Sequence, residues 1–259
     1  MAEAPAVLII AGLDPSGGAG LIADVRVCEL HGCRPVAVAT ALTEQTTVGL
    51  RAINPADPEV VGEQLRALLA DVEVVAVKIG MLGSVAMAEQ VARALELCAA
   101  PVIWDPVGRA TRGLGVFDDA QLRAVATILG RDLALVTPNA DEAQALSGVA
   151  IASTADAIAA GRGIVDGTGA LAALVKGGHW GAGEAIDVLV TAGHEQLFTG
   201  ARIALAEPVH GTGCALATAI ACHLARSATI ADACARAKAF VAARIAAPVR
   251  PGRGRPAVL

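Results

Sequence analysis

VLIIAGLDPSGGAG, residues 7–20, is the stretch from which the rest of the chain is read. VLIIA (7–11) is a continuous apolar run with the length and branching of a buried strand. Gly-rich DPSGGAG (14–20) follows it directly. Beyond residue 20 the spacing predicts a helix to about residue 31, with Leu21, Val25 and Cys28 on one face. A strand, a glycine-rich turn and a helix in that order make the first half of a parallel crossover unit.

The same rhythm repeats outward. PVAVATAL (35–42) is a second strand, and a helix near 58–70 leads to the strand VVAVKIG (74–80). A helix near 84–99 leads to PVIWD (101–105), and one near 118–129 leads to LALVTP (133–138). Helices near 139–147 and 153–168 lead to LAALVKGG (171–178). Uninterrupted apolar strands separated by helices predict a mostly parallel sheet covered on both faces. AIDVLVTAG (185–193) and EQLFTGARI (195–203) break the rhythm and read as an antiparallel hairpin at the sheet edge. HGTGC (210–214) opens a helix to about 226, and another runs over about 229–246. No repeat, linker or low-complexity boundary divides the chain, so one α/β domain over 1–259 is expected. The basic, Gly/Pro-rich tail (250–259) either stays flexible or folds back over a site.

Composition excludes several classes. The 259 residues carry a formal net charge of -5 and only 2% aromatics, with no Tyr. Neither a phosphate-backbone binder nor a base-stacking protein fits those values. The mean hydropathy of +0.59 reflects Ala, Val and Leu in a buried interior. No apolar run approaches the ~20 residues that span a bilayer, and MAEAPAVLII has no basic start, so neither a membrane span nor a signal peptide is expected. Six cysteines without C-x-x-C or zinc-ligand spacing read as reduced thiols of a cytoplasmic protein.

Asp14, Met81, Asp105, Asn139 and Lys176 all fall at the carboxyl ends of predicted strands, where open α/β sheets bind ligands. In HGTGC, Gly211 and Gly213 bracket Thr212 just before an Ala-rich helix. Unpaired N–H groups of a first helical turn bind anions, and a thiol there, Cys214, has its pKa lowered. The same motif also reads as a plain glycine turn with a buried cysteine. DPSGGAG either closes over a small ligand or is a tight βα turn; no dinucleotide or P-loop fingerprint is present. Asn139 and Glu142 have capping-box spacing. Asp105 and Glu142 are equally a carboxylate pair suited to Mg²⁺. Lys176 is one of only 3 Lys beside 17 Arg, and its place before a Gly pair suits phosphate neutralisation or a solvated surface. Two glycine loops, two carboxylates, a lysine and a helix N-terminus are the parts phosphoryl transfer needs.

AGLDPSGGAGLIAD (11–24), TALTEQTTVGL (40–50), KIGML (78–82), WDPV (104–107), TPNADEA (137–143), VKGGH (175–179) and HGTGC (210–214) together resemble the hydroxymethylpyrimidine/phosphomethylpyrimidine kinases of thiamine biosynthesis, within the ribokinase-like superfamily. The resemblance spans nearly the whole chain. It implies a ribokinase-like three-layer fold, ATP with Mg²⁺, and a homodimer. It implies that Gln45 hydrogen-bonds the pyrimidine, that Ala19, Met81 and Val107 line its pocket, and that Asp24 lies close by. Gly211, Thr212, Gly213 and Cys214 then form the anion hole, with Cys214 as candidate base. Asp105 and Glu142 lie near magnesium, and Asn139, Glu142 and Lys176 near the nucleotide. A pyridoxal/pyridoxine kinase is the alternative enzyme, and a non-catalytic pyrimidine or nucleotide sensor the alternative of another class. The chain departs from the family pattern in GRATRG (108–113), where Gly108 replaces Met and no Lys follows. Arg109 or Arg112 would then supply the cation. Thr46 stands in place of the usual Asn, and the tail lacks the usual His.

Overall fold

A computed structural model describes residues 3–108, 115–177, 184–204 and 207–259. The elements follow in the order β1 (Ala6–Leu13), α1 (Gly20–Leu30), β2 (Arg34–Thr46), β3 (Gly49–Pro55), α2 (Pro58–Asp71), β4 (Val74–Ile79), α3 (Val85–Leu95) and β5 (Val102–Trp104). They continue with α4 (Asp119–Leu129), β6 (Leu133–Val136), α5 (Ala140–Ser147), α6 (Thr154–Thr168), β7 (Ala172–Val175), β8 (Glu184–Thr191), β9 (Glu195–Ala201), α7 (Thr212–Leu224) and α8 (Ile230–Ala246).

The strands form one sheet in the order β3-β2-β1-β4-β5-β6-β7-β8-β9. The pairs from β2 through β1 to β7 are parallel. Strand β1 shows why the sheet lies in the middle. Leu8 and Ile10 point into one core, while Val7, Ile9 and Ala11 point into the other. That alternation puts every side chain of an apolar strand into a buried layer. Helices α2 to α6 cover the first face, and α1, α7 and α8 the second. Among the described residues, no helix is long and apolar enough to cross a membrane.

The expected hairpin at one edge is present: β8 and β9 pair antiparallel. The opposite edge carries a second hairpin that the spacing does not reveal. Strand β2 runs on to Thr46 and pairs antiparallel with β3, with Thr46 opposite Gly49 and only Thr47 and Val48 between them. The segment mixes polar and β-branched residues instead of forming an apolar run, because its outer side has no covering layer. Helix α1 buries Ala23, Asp24, Val27 and Cys28, while Leu21 and Val25 are only half-buried. The predicted face is therefore rotated, because Asp24 has partners inside the protein.

Small residues set the position of α7. Its residues from Ala215 to Cys222 are all buried, five of them alanine or threonine. Short side chains let the helix pack closely against the sheet, which brings its N-terminus over the strand ends. The tail does not project freely: Ala257 and Val258 are buried, and Val249 bridges to Ala257.

Candidate active site

A cavity of about 1390 Å³ opens along the carboxyl ends of the parallel strands. Pockets for one small ligand are usually ~300–1,000 Å³, so this one accommodates two. Gln45, Ala19, Met81 and Val107 line it together with Gly211, Thr212, Gly213 and Cys214. Asp105, Asn139, Glu142 and Lys176 also line it. The residues gathered from seven separate sequence segments, Asp24 excepted, thus face one space.

The N-terminus of α7 forms its floor. Gly211 is the N-cap with φ +83°, and a Cβ there would be driven into the Gly18 carbonyl. Only glycine allows this contact, which ties HGTGC to the DPSGGAG turn. The helical ladder begins with Ala215 N–H donating to the Gly211 carbonyl at 2.9 Å. The amides of Thr212, Gly213 and Cys214 precede that bond and have no acceptor within the helix. A Cβ on Gly213 would lie 3.2 Å from Lys176 Nζ and 3.5 Å from Asp105 Oδ2. The amide cradle and the charged pair are therefore adjacent.

Lys176 Nζ donates to Asp105 Oδ1 at 2.7 Å, and Thr137 Oγ1 donates to the same oxygen at 3.3 Å. The lysine is not a solvated surface group. Burial works against its ammonium, but Asp105 and Glu142 outweigh burial and raise its pKa. Glu142 closes a capping box with Asn139: its Oε2 accepts from Asn139 N–H at 2.8 Å, and Asn139 Oδ1 accepts from Glu142 N–H at 2.9 Å. Its other oxygen accepts from Gly108 N–H at 3.4 Å. Burial pushes the Glu142 carboxyl up to about 7; Lys176 opposes the shift and Asp105 adds to it. Capping and charge placement are thus both real properties of Glu142.

No group of three or more His, Cys, Asp or Glu side chains suited to a metal occurs among the described residues. Mg²⁺ needs less than that, since it usually keeps waters and binds one or two carboxylates together with substrate phosphates. Asp105 and Glu142, two hard-oxygen donors of which Asp105 lies close enough to raise the Glu142 pKa, fit such an ion.

Opposite the cradle, Asp14 gathers the acceptor side. Its Oδ2 lies 3.0 Å from both Gln45 Nε2 and His210 Nε2, and also accepts from Ala19 N–H at 3.2 Å. Its Oδ1 accepts from Ser16 N–H and Oγ–H. Burial raises the Asp14 pKa, but the bonds from His210 and Ser16 together win and hold it below the ordinary value. The tail braces this region: His210 N–H donates to the Pro256 carbonyl, Val258 N–H to the His210 carbonyl, and Arg255 N–H to the Thr47 carbonyl.

A family model described as phosphomethylpyrimidine kinase matches residues 14–258. The chain belongs to the phosphomethylpyrimidine kinase family. A hydroxymethylpyrimidine/phosphomethylpyrimidine kinase of Streptomyces coelicolor is 36% identical over 250 residues, which is 96% of this chain and 92% of the relative. The phosphomethylpyrimidine kinase structure from Clostridium difficile superposes with a TM-score of 0.81 at 28% identity, covering 93% of this chain and 99% of the other. The pyridoxal kinase from Staphylococcus aureus in complex with ADP superposes with a TM-score of 0.90 at 26% identity, covering 100% and 94%. The two solved neighbours are α/β kinases with the ribokinase-like arrangement that the family resemblance implies.

Two expectations for this member of the phosphomethylpyrimidine kinase family need correction. Asp24 does not line the cavity. It is fully buried on α1, where Lys78 Nζ donates to it at 2.6 Å and Thr218 Oγ1 at 2.7 Å. Burial alone would neutralise Lys78, yet Asp24, with Asp105 behind it, raises its pKa and keeps it charged. The second correction concerns Cys214. Burial pushes its thiol up to about 11, while Lys78 pulls it down and Asp24 and Asp105 push it further up. The helix N-terminus does not make it a thiolate, because desolvation and two nearby carboxylates prevail.

Asp14 is marked in the sequence only by its strand end, and Lys78 and His210 carry no site role there. Lysine scarcity was a usable signal for Lys78, and Asp14 stands at a strand end. His210 had only its place at the head of HGTGC. Arg109, Arg112 and His179 lie outside the described residues.

Proposed function

We propose that this chain transfers the γ-phosphoryl group of ATP to the hydroxymethyl group of 4-amino-5-hydroxymethyl-2-methylpyrimidine, and then phosphorylates the monophosphate. The observation that carries this reading is that the α7 amides, the Lys176–Asp105 pair and Gln45 face one cavity large enough for two ligands. The curated relatives named for this activity, at 36% identity over nearly the full length, support the pyrimidine as acceptor. The S. aureus neighbour solved with an ATP analogue and pyridoxal supports ATP as the donor.

Gln45 and the Ala19, Met81 and Val107 walls hold the pyrimidine. The amides of Thr212, Gly213 and Cys214 receive the transferring phosphoryl oxygens, where fixed donors stabilise developing charge. Lys176 neutralises phosphate, and Asn139 and Glu142 shape the nucleotide side. Asp105 and Glu142 would hold Mg²⁺, which would supply charge neutralisation at the phosphates when bound. Cys214 stays a thiol at neutral pH and orients the reacting hydroxyl. Phosphoryl transfer needs little help from a strong base when its transition state is loose. The reading takes residues 1–259 as one kinase unit, as the absence of a linker suggests, in the cytoplasm, as the cysteine usage suggests, and as a homodimer, as the family resemblance implies.

Pyridoxal is the second acceptor to test, because pyridoxal kinases superpose with a TM-score of 0.90. Side-by-side kinetics with both alcohols and Mg-ATP decide between them. The reading predicts higher kcat/KM for the pyrimidine; preference for pyridoxal contradicts it. ATP binding without ADP production from any alcohol would favour a sensor.

A further inference from the structure

We propose that Asp14 and His210 are positioning residues that hold the Gln45 side-chain amide in one orientation, nitrogen toward Asp14, so that its oxygen faces position 4 of the acceptor ring and selects an exocyclic amino group there over an oxo group. The inference rests on the pyrimidine-kinase reading and deepens it.

An ionised carboxylate accepts hydrogen bonds and never donates. Asp14 is held in that state by its donors, whose effect outweighs burial. The amide atom of Gln45 that lies 3.0 Å from Asp14 Oδ2 must therefore be nitrogen. Turning the amide by half a revolution would set its oxygen against a carboxylate oxygen, two acceptors face to face.

His210 blocks the alternative in which a turned amide is rescued by the imidazole. Its Nε2 lies 3.0 Å from the same Oδ2, so the single hydrogen on Nε2 is committed to Asp14. The 3.0 Å approach of Gln45 Nε2 to His210 Nε2 is then two donors converging on one oxygen.

Neither partner can move away easily. Asp14 receives five donors in all, from Ser16 N–H, Ser16 Oγ–H, Ala19 N–H, Gln45 and His210. His210 is clamped by its backbone between the Pro256 carbonyl at 2.8 Å and the Val258 amide at 3.1 Å. Its ring also fills the space beside Gly18, where a Cβ would stand 2.8 Å from Cδ2. The tail thus contributes to acceptor recognition through His210 without having to touch the ligand.

A freely turning glutamine would treat a 4-amino and a 4-oxo pyrimidine alike, offering oxygen to one and nitrogen to the other. A fixed glutamine rejects the 4-oxo ring, because matching groups then oppose each other. The test measures kcat and KM with Mg-ATP for three pyrimidine alcohols carrying amino, hydrogen or oxo at position 4. The wild-type protein, Asp14→Asn and His210→Ala are compared, with ATP KM and thermal melting as controls. For the wild type, kcat/KM for the oxo ring falls about tenfold to hundredfold below the amino ring, mainly through KM. Asp14→Asn offers either donor or acceptor, so the amino-over-oxo ratio collapses by about tenfold while ATP KM stays unchanged. His210→Ala leaves Asp14 in place and lowers the ratio less.

A purely structural role would move all three alcohols and ATP together, and that result overturns the inference. Equal use of amino and oxo rings by the wild type overturns it without any variant, so a misfolded Asp14→Asn protein does not rescue it. Phosphorylation of pyridoxal with no turnover of any pyrimidine would overturn the underlying reading, and the inference with it.

Discussion

Lys176 Nζ stands 2.7 Å from Asp105 Oδ1, although the two residues are 71 positions apart in the chain. One lies beyond β7 and the other beyond β5, and the parallel sheet brings both strand ends to the same side of the molecule. The Gly213 backbone fits against the pair because it carries no side chain. Charge balance here is tight: one ammonium serves two carboxylates, Asp105 and Glu142.

Lys176→Met should therefore do two things. Loss of a fixed cation at the phosphate is expected to lower kcat by about 10²–10³-fold. Leaving Asp105 and Glu142 without their counter-charge should also cost about 2 kcal/mol of stability. Steady-state kinetics and urea unfolding read the two effects separately.

Glu142 makes stability depend on pH. Its carboxyl is raised from 4.5 to about 7, so the folded state binds the proton more tightly than the unfolded state. The resulting stabilisation is fully present below pH 4.5 and is lost as pH rises to about 7. Glu142→Gln removes that dependence. In EDTA, the melting temperature of the variant relative to wild type should climb across this window and level off above it. A constant difference from pH 4 to pH 8 would contradict the assignment.

Cys214→Ser should keep kcat within about tenfold of wild type, since phosphoryl transfer rests mostly on positioning and electrostatics. With the thiol raised to about 11, wild-type kcat should show no thiolate-dependent rise between pH 6 and pH 9. A wild-type rise in that range, absent from the variant, would restore Cys214 as the base.

Lys78 and Asp24 form an ion pair with both side chains fully buried. Lys78→Met leaves a buried carboxylate alone and should cost about 3–5 kcal/mol. Adding Asp24→Leu should recover part of that loss, because no unpaired charge remains. Denaturant unfolding of the wild type, both single variants and the double variant measures the coupling.

These relationships also show what a sequence can disclose. The parallel core is legible because VLIIA and LALV are apolar on both faces and recur between amphipathic helices. The anion cradle is legible because HGTGC abuts an Ala-rich helix. The β2–β3 hairpin is not, since TEQTTVGLRAIN has one uncovered side and no apolar run, yet it carries Gln45. Asp24 looks like a surface carboxylate by type, and its burial is explained by Lys78, 54 positions away, and by Thr218, 194 positions away. The Cys214 pKa follows from burial and from Lys78 on β4, Asp24 on α1 and Asp105 just beyond β5, all far from HGTGC in the chain. The network around Asp14 joins residues 14, 45 and 210, with the tail behind it, so its logic exists only after folding.

The most direct measurement is mass analysis of the products formed from 4-amino-5-hydroxymethyl-2-methylpyrimidine and Mg-ATP. A species heavier by one phosphoryl group should appear first and one heavier by two should follow, with one ADP released for each. An unchanged alcohol, in the presence of folded protein that binds ATP, would contradict the proposed kinase.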